Sequence, residues 1–165
     1  MIKEADSIRE SVLEVAKLMV AAAKTAPKAR GVDNIVSVVL DKREELEALA
    51  AKMEELANVY GDFFKRDANN VRNSDAVVLI GCKVVEFKLT QPPKWPCTAD
   101  LANSLVNLGI ALGSAVKVAS IMNIDNRIMF SIGVAAQELG FIDADVVYGI
   151  PLSARAKNIY FDRRA

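Results

Sequence analysis

The sequence predicts an α+β fold, a small central β-sheet flanked by helices and served by one long, buried central helix. Three observations carry that reading. Apolar residues recur at helical spacing along five stretches, and between them lie three or four short runs rich in β-branched residues. Helical pattern exceeds strand pattern throughout. No repeat, low-complexity tract or linker interrupts the chain, so residues 1–165 read as a single domain.

The elements follow in order. Ser7-Ile-Arg-Glu10 reads as a capping box that opens a helix, with Ile8, Val12, Val15, Met19 and Ala22 on one face. Pro27 and Gly31 bracket a loop carrying Lys28, Ala29 and Arg30. Ile35 to Leu40 reads as a short buried strand. Arg43 to Tyr60 is an amphipathic surface helix, apolar at Leu46, Leu49, Ala50, Met53, Leu56 and Ala57. Its many glutamates are solvation rather than chemistry. A more polar helix runs from Phe63 to Val71, and the apolar run Ala76 to Ile80, ending at Gly81, marks a central strand. Val84 to Leu89 reads as a candidate edge strand, and Gln91 to Pro96 as a loop that cannot be helical. The long helix spans Thr98 to Met122. Asp125 is expected to cap a last helix that Gly140 closes at C′. Val146 to Ile150 is a final strand stopped by Pro151, and the tail from Leu152 is polar and basic, ordered only if it docks.

Composition removes several kinds of chemistry. The chain has 21 basic and 21 acidic residues, a balance that argues against a nucleic-acid partner. It has no histidine, which excludes a Ser-His-Asp triad and His-ligated zinc. An apolar fraction of 52% in a chain of 165 residues points to surface hidden in a second subunit. The charged first residues lack the pattern of a signal peptide, so the expected location is the cytoplasm. Leu101 to Ile121 is apolar nearly all round, yet its Asn103, Ser104, Asn107, Ser114 and Lys117 favour a core helix over a membrane span.

Four stretches bear on function. Lys28 and Arg30, one residue apart in a Gly/Pro loop, can face one anion, or can simply make a surface loop soluble. Arg155 and Lys157 form a second basic pair after the last strand, with Arg163 and Arg164 beyond. Gly109, Ala111, Gly113, Ser114 and Ala115 give the long helix a strip of small residues, suited to packing on a symmetry mate or to a tight crossing within one subunit. Arg66, Asp67, Asn69, Asn70, Arg72 and Asn73 either line a pocket rim or build a structural ion-pair network.

The segments FFKRDANNVRNSDAVVLIG (63–81), NLGIALGSAVK (107–117) and GIPLSARAKNIYFDR (149–163) together resemble a family of uncharacterised proteins described as containing a ferredoxin-like domain. Its body is similar to the flavin-binding nitroreductase fold. The resemblance covers nearly the whole chain, from the KTAPK loop at Lys24 onward. It implies an FMN-binding oxidoreductase acting as a homodimer, with the flavin near the subunit interface. It places Lys28, Arg30, Arg155 and Lys157 on the flavin phosphate. GVAAQELGF (133–141) is similar to the nitroreductase helix that packs beneath the flavin. The chain departs from the family at its cysteine-rich insert, where only Cys82 and Cys97 stand. A four-thiolate cluster needs four cysteines, so no iron–sulfur cluster is expected in one subunit. A cluster shared across a two-fold axis and a disulfide are the alternatives to two ordinary thiols. The loss of the insert also leaves open a non-catalytic homodimer, a binding or regulatory protein without cluster or flavin.

Overall fold

A computed structural model describes residues 1–161. Five helices, α1 (Glu4–Thr25), α2 (Arg43–Tyr60), α3 (Phe63–Arg72), α4 (Ala99–Ile121) and α5 (Phe130–Glu138), surround four strands, β1 (Ile35–Leu40), β2 (Ala76–Cys82), β3 (Asp125–Asn126) and β4 (Val146–Ser153). The strand order is β1-β2-β4-β3, with every neighbouring pair antiparallel. The sheet is therefore α+β in arrangement, small, and covered by helices on both faces.

The seven residues of β2 are all buried, because it lies inside the sheet and both its faces are covered. Ala76, Val78, Ile80 and Cys82 point to one layer, where α1 and α4 supply Val12, Met19, Leu108 and Ala115. Val77 and Leu79 point to the other, where α2, α3 and α5 supply Leu49, Met53, Phe64 and Ile132. The period of two along β2 thus divides the core into two apolar layers.

Glycine matters most where α5 meets β4. A Cβ on Gly133 would collide with the carbonyl of Val147, and one on Gly149 with the side chain of Ile132. Two bare Cα positions let the helix lie almost on the strand. Gly140, at φ 68°, then ends α5, with Gly140 N donating to Gln137 O and Phe141 N to Ala136 O. Asn123, at φ 55°, ends α4 by the same paired bonds to Ser120 O and Ala119 O.

Four local expectations are corrected. Helix α1 starts at Glu4 with Lys3 as N-cap, and Ser7 N bonds Lys3 O, so the Ser7–Glu10 box sits inside the first turns. The acidic Glu4 and Asp6 suit that earlier start at the positive end of the helix. Residues 84–89 form no strand. Four of their amides donate to side chains instead, Val84 N to Asp145, Val85 N to Ser104, and Lys88 N and Leu89 N to Asp100, while Phe87 N turns back to Val85 O. Asp125 caps nothing; it belongs to β3 opposite Ser153, and Met129 precedes α5. Strand β4 continues through Pro151 to Ser153. Leu152 O accepts from Asp75 on the β2 side, whereas Gly149 exchanges bonds with Met129 on the other. Pro151 shares the orientation of Gly149, so its missing N–H faces the gap between β3 and Met129.

Candidate functional site

Two groups of basic residues stand at opposite ends of the sheet. At the N-terminal end of β2, a cleft of about 210 Å³ is lined by Arg9 of α1, Asp41, Arg43 and Leu46, and by Ser74 and Asp75. Arg155 borders it: its Nη2 donates to Asn73 O at 2.8 Å and lies 4.0 Å from Asp75 Oδ1. Arg9 and Arg43 thus share a cleft with two carboxylates and a hydroxyl, and Arg155 stands at its border. Lys157 follows on the same exposed segment. Arg163 and Arg164 lie outside the described residues.

The other group lies at the C-terminal end of β2. Lys28 Nζ donates to the carbonyls of Ala23, Lys24 and Ala26 at 3.1, 2.7 and 2.7 Å. Its three protons therefore cap the end of α1. Burial, with the charge of Lys24, pushes its ammonium below the usual range. Arg30 adopts a left-handed backbone at φ 55° in the turn Ala29–Gly31. Its guanidinium lies over the Phe87 ring at 5.7 Å.

A buried amide pair holds this turn. Asn107 Oδ1 accepts from Ala29 N at 2.9 Å, and Asn107 Nδ2 donates to Asn34 Oδ1 at 3.0 Å. Asn34 Nδ2 donates onward to Lys83 O at 2.8 Å. The pair ties the turn, the start of β1 and the segment after β2 to the middle of α4. Replacing Asn107 with Ala would strand the Ala29 N–H and the Asn34 carbonyl. We expect that change to cost about 2 kcal/mol, measured by urea unfolding.

The structure does not bring all four sequence-derived cations together within one chain. Arg30 precedes Ile35, which pairs with Cys82; Arg155 follows Leu152, which pairs with Ala76. Seven strand residues separate the two ends, about 20 Å at the usual rise. Arg9 and Arg43 went unnoticed in the sequence, since nothing distinguishes them from other cations on helical wet faces. Asn107 left a signal: a carboxamide in an otherwise apolar helix.

The polar stretch before β2 is a structural network. Arg66 donates twice to Asp67 Oδ1, and Ser131 Oγ donates to Asp67 Oδ2 at 2.6 Å, tying α3 to α5. Arg72 bridges Glu47 and Glu54 of α2 and holds the Glu54 carboxyl below the usual range. Cys82 is buried at the end of β2, and its thiol is pushed up by burial and then by the charge of Asp145. Cys97 is half-buried and not disulfide-bonded.

The glycines of α4 serve no crossing among the described residues. A Cβ on Gly109 or Gly113 would meet nothing within 4 Å. They lie on an outward face with Leu105, Val106 and Ile110, which are 38%, 57% and 40% exposed. By length and composition α4, with mean hydropathy 1.5, is apolar enough to cross a bilayer; its inner face packs on the sheet and α1.

Comparison with known proteins places this geometry. The profile of a family described as "uncharacterized protein containing a ferredoxin domain (DUF2148)" matches residues 99–163. An uncharacterized protein of Archaeoglobus fulgidus is 44% identical over 180 residues, covering 99% of this chain and 97% of the relative. The chain belongs to this ferredoxin-domain family. The fold of this family member is that of nitroreductases. A putative NADH dehydrogenase/NAD(P)H nitroreductase of Bacteroides thetaiotaomicron superposes with TM-score 0.59 at 14% identity, over 87% of this chain and 74% of that one. Nitroreductase A of Vibrio parahaemolyticus gives 0.60 at 14%, over 88% and 60%. The NADPH:FMN oxidoreductase of Vibrio harveyi, solved with NAD+, gives 0.59 at 15%, over 92% and 63%. The ferredoxin-domain chain thus spans about three-fifths of the two Vibrio enzymes.

Proposed function

We propose that the protein is an FMN-binding redox protein of nitroreductase type that acts as a homodimer. The observation that carries this is the cleft shared by Arg9 and Arg43, with Arg155 at its border, at one end of a nitroreductase-like sheet. Guanidinium groups are suited to a phosphate dianion, which they bind through paired, charge-assisted bonds. Arg9, Arg43 and Arg155 would hold the phosphate end of FMN against the carboxylates of Asp41 and Asp75, which line the same cleft. The cleft, about 210 Å³, is smaller than the roughly 300–1,000 Å³ of a complete small-molecule site. The flavin ring would need a further wall, and a second subunit is the natural source.

The outward face of α4 is the candidate seam. Its glycines permit close approach of another helix, and the exposed Val106 and Ile110 supply apolar area. The Ala29–Gly31 turn is bonded to α4 at Asn107, one residue from Val106. The seam would thus carry Arg30 to the interface. Bound flavin supplies the electron transfer, and the protein's groups supply phosphate binding and access.

The test is FMN retention after gel filtration, followed by visible absorbance. The wild type should emerge yellow. Arg9→Ala/Arg43→Ala/Arg155→Ala should weaken FMN binding by about a hundredfold or more, given the worth of charged hydrogen bonds. A wild type that stays colourless after reconstitution, or a triple variant that binds as well, would sink this reading.

A further inference from the structure

Tyr160 stands out because the polar tail was expected to be ordered only on docking. It is 2% exposed, among the largest fully buried side chains, and its ring joins the layer that holds Leu46 and Phe64. All three of its polar groups are engaged. Its backbone N donates to Asn158 Oδ1 at 2.9 Å, and its carbonyl accepts from Arg127 Nη1 at 2.8 Å. Its phenol lies 2.8 Å from Ser74 Oγ. Ser74 Oγ already donates its single proton to Asn70 O at 2.7 Å, so the phenol is the donor in that pair. Burial pushes the phenol up to about 12, against the opposing hydroxyls of Ser153 and Ser74, so it keeps its proton at neutral pH.

The attachment point matters. Ser74 is a lining residue of the arginine cleft, and Asn73, next to it, accepts the bond from Arg155. Strand β4 ends at Ser153, paired with Asp125. Residues 154–159 are therefore pinned at both ends, by β4 on one side and by Tyr160 on the other. This short loop carries Arg155 and Lys157.

We propose that Tyr160 is a positioning residue: its phenol, latched on Ser74, closes residues 154–159 into a fixed loop that presents Arg155 to the arginine cleft. The proposal rests on the reading of that cleft as an anion site, and deepens it. A latched loop pays the ordering entropy on folding rather than on ligand binding, which is what preorganisation means for affinity. An exposed arginine on a loose loop would bind the same anion more weakly.

The experiment uses the full chain with Tyr160→Phe, which keeps the ring, and with Ser74→Ala as a second variant that breaks the same bond from the other side and keeps the phenol. Two readouts are taken. Hydrogen exchange of the amides in 154–159 should quicken by about tenfold in both variants, while exchange in β2 stays as in the wild type. FMN affinity should fall by about fivefold to tenfold in Tyr160→Phe, and that loss should vanish when Arg155→Ala is already present. Non-additivity of this kind is not produced by a phenol that merely stabilises the fold. Unchanged exchange in 154–159 would overturn the latch whatever the ligand. Quickened exchange with an additive FMN loss would overturn its action through Arg155. If the wild type binds neither FMN nor inorganic pyrophosphate, the anion-site reading fails with the presenting role built on it, while the exchange result alone still decides whether the loop is latched.

Discussion

Gly133→Val is expected to unfold the protein, or to leave it with helix α5 detached from the sheet. The position has no room. A single Cβ there would strike the Val147 carbonyl, a backbone atom that cannot rotate away, and would crowd the Cα of Tyr148 at 2.9 Å. Relief requires α5 to lift off β4. That would also part Ile132 from the flat patch Gly149 provides, and would stretch the bonds between Met129 and Gly149. Overpacking in a core typically costs about 1–3 kcal/mol when side chains can yield. Here the obstacle is main chain, so the expected loss is about 4 kcal/mol or more, a large part of a typical domain's stability. Thermal unfolding by circular dichroism gives the result. Val59→Ala, at a position of α2 that is 75% exposed, is the control and should leave Tm in place. A Gly133→Val protein with the wild-type Tm would show that α5 does not sit where it is described.

The second large effect concerns assembly. Val106→Asp combined with Ile110→Asp should convert a dimer into a folded monomer, seen as a halved mass in sedimentation equilibrium. Both side chains are exposed within the chain, at 57% and 40%, so the carboxylates would meet water in the monomer and the fold should persist. In a two-fold seam each substitution appears twice and faces apolar surface, which makes the penalty in the dimer several kcal/mol. Circular dichroism unchanged with mass halved supports the seam. An unaltered dimer would move the interface to another face, and a wild type that is already monomeric would remove the homodimer from the proposed function.

The sequence made the scaffold legible where a residue's environment follows from its neighbours along the chain. The unbroken apolar run Ala76 to Ile80 could only be a strand covered on both faces, and it is. The periodic apolar residues from Leu46 to Ala57 point inward as their spacing requires. The stretch 84–89 has the alternation of a strand, but a strand needs a neighbour, and Ser104, Asp100 and Asp145 take its amides first. Pro151 looked like a stop because the gap beside β4 is invisible along the chain. The candidate site suffered from the same limit. Arg30 and Arg155 share a residue type and a loop setting, while the antiparallel register that sends them to opposite ends of β2 exists only in three dimensions. Arg9 and Arg43 line a cleft that Arg155 borders, from elements far apart in sequence, and no local pattern announces that.

Strand β1 has a consequence for handling the protein. It forms one margin of the sheet, and its six residues, IVSVVL, carry no charge, proline or bulge. Bare margins of this kind template further strands and seed aggregates, and natural sequences commonly guard them with charge. The guard here is borrowed from another element: Lys17 and Lys24 of α1 line the apolar cleft, about 480 Å³, that runs beside Ile35, Val36 and Ser37. Solubility thus depends on α1 staying docked, and a destabilised α1 would be felt first as turbidity rather than as lost secondary structure.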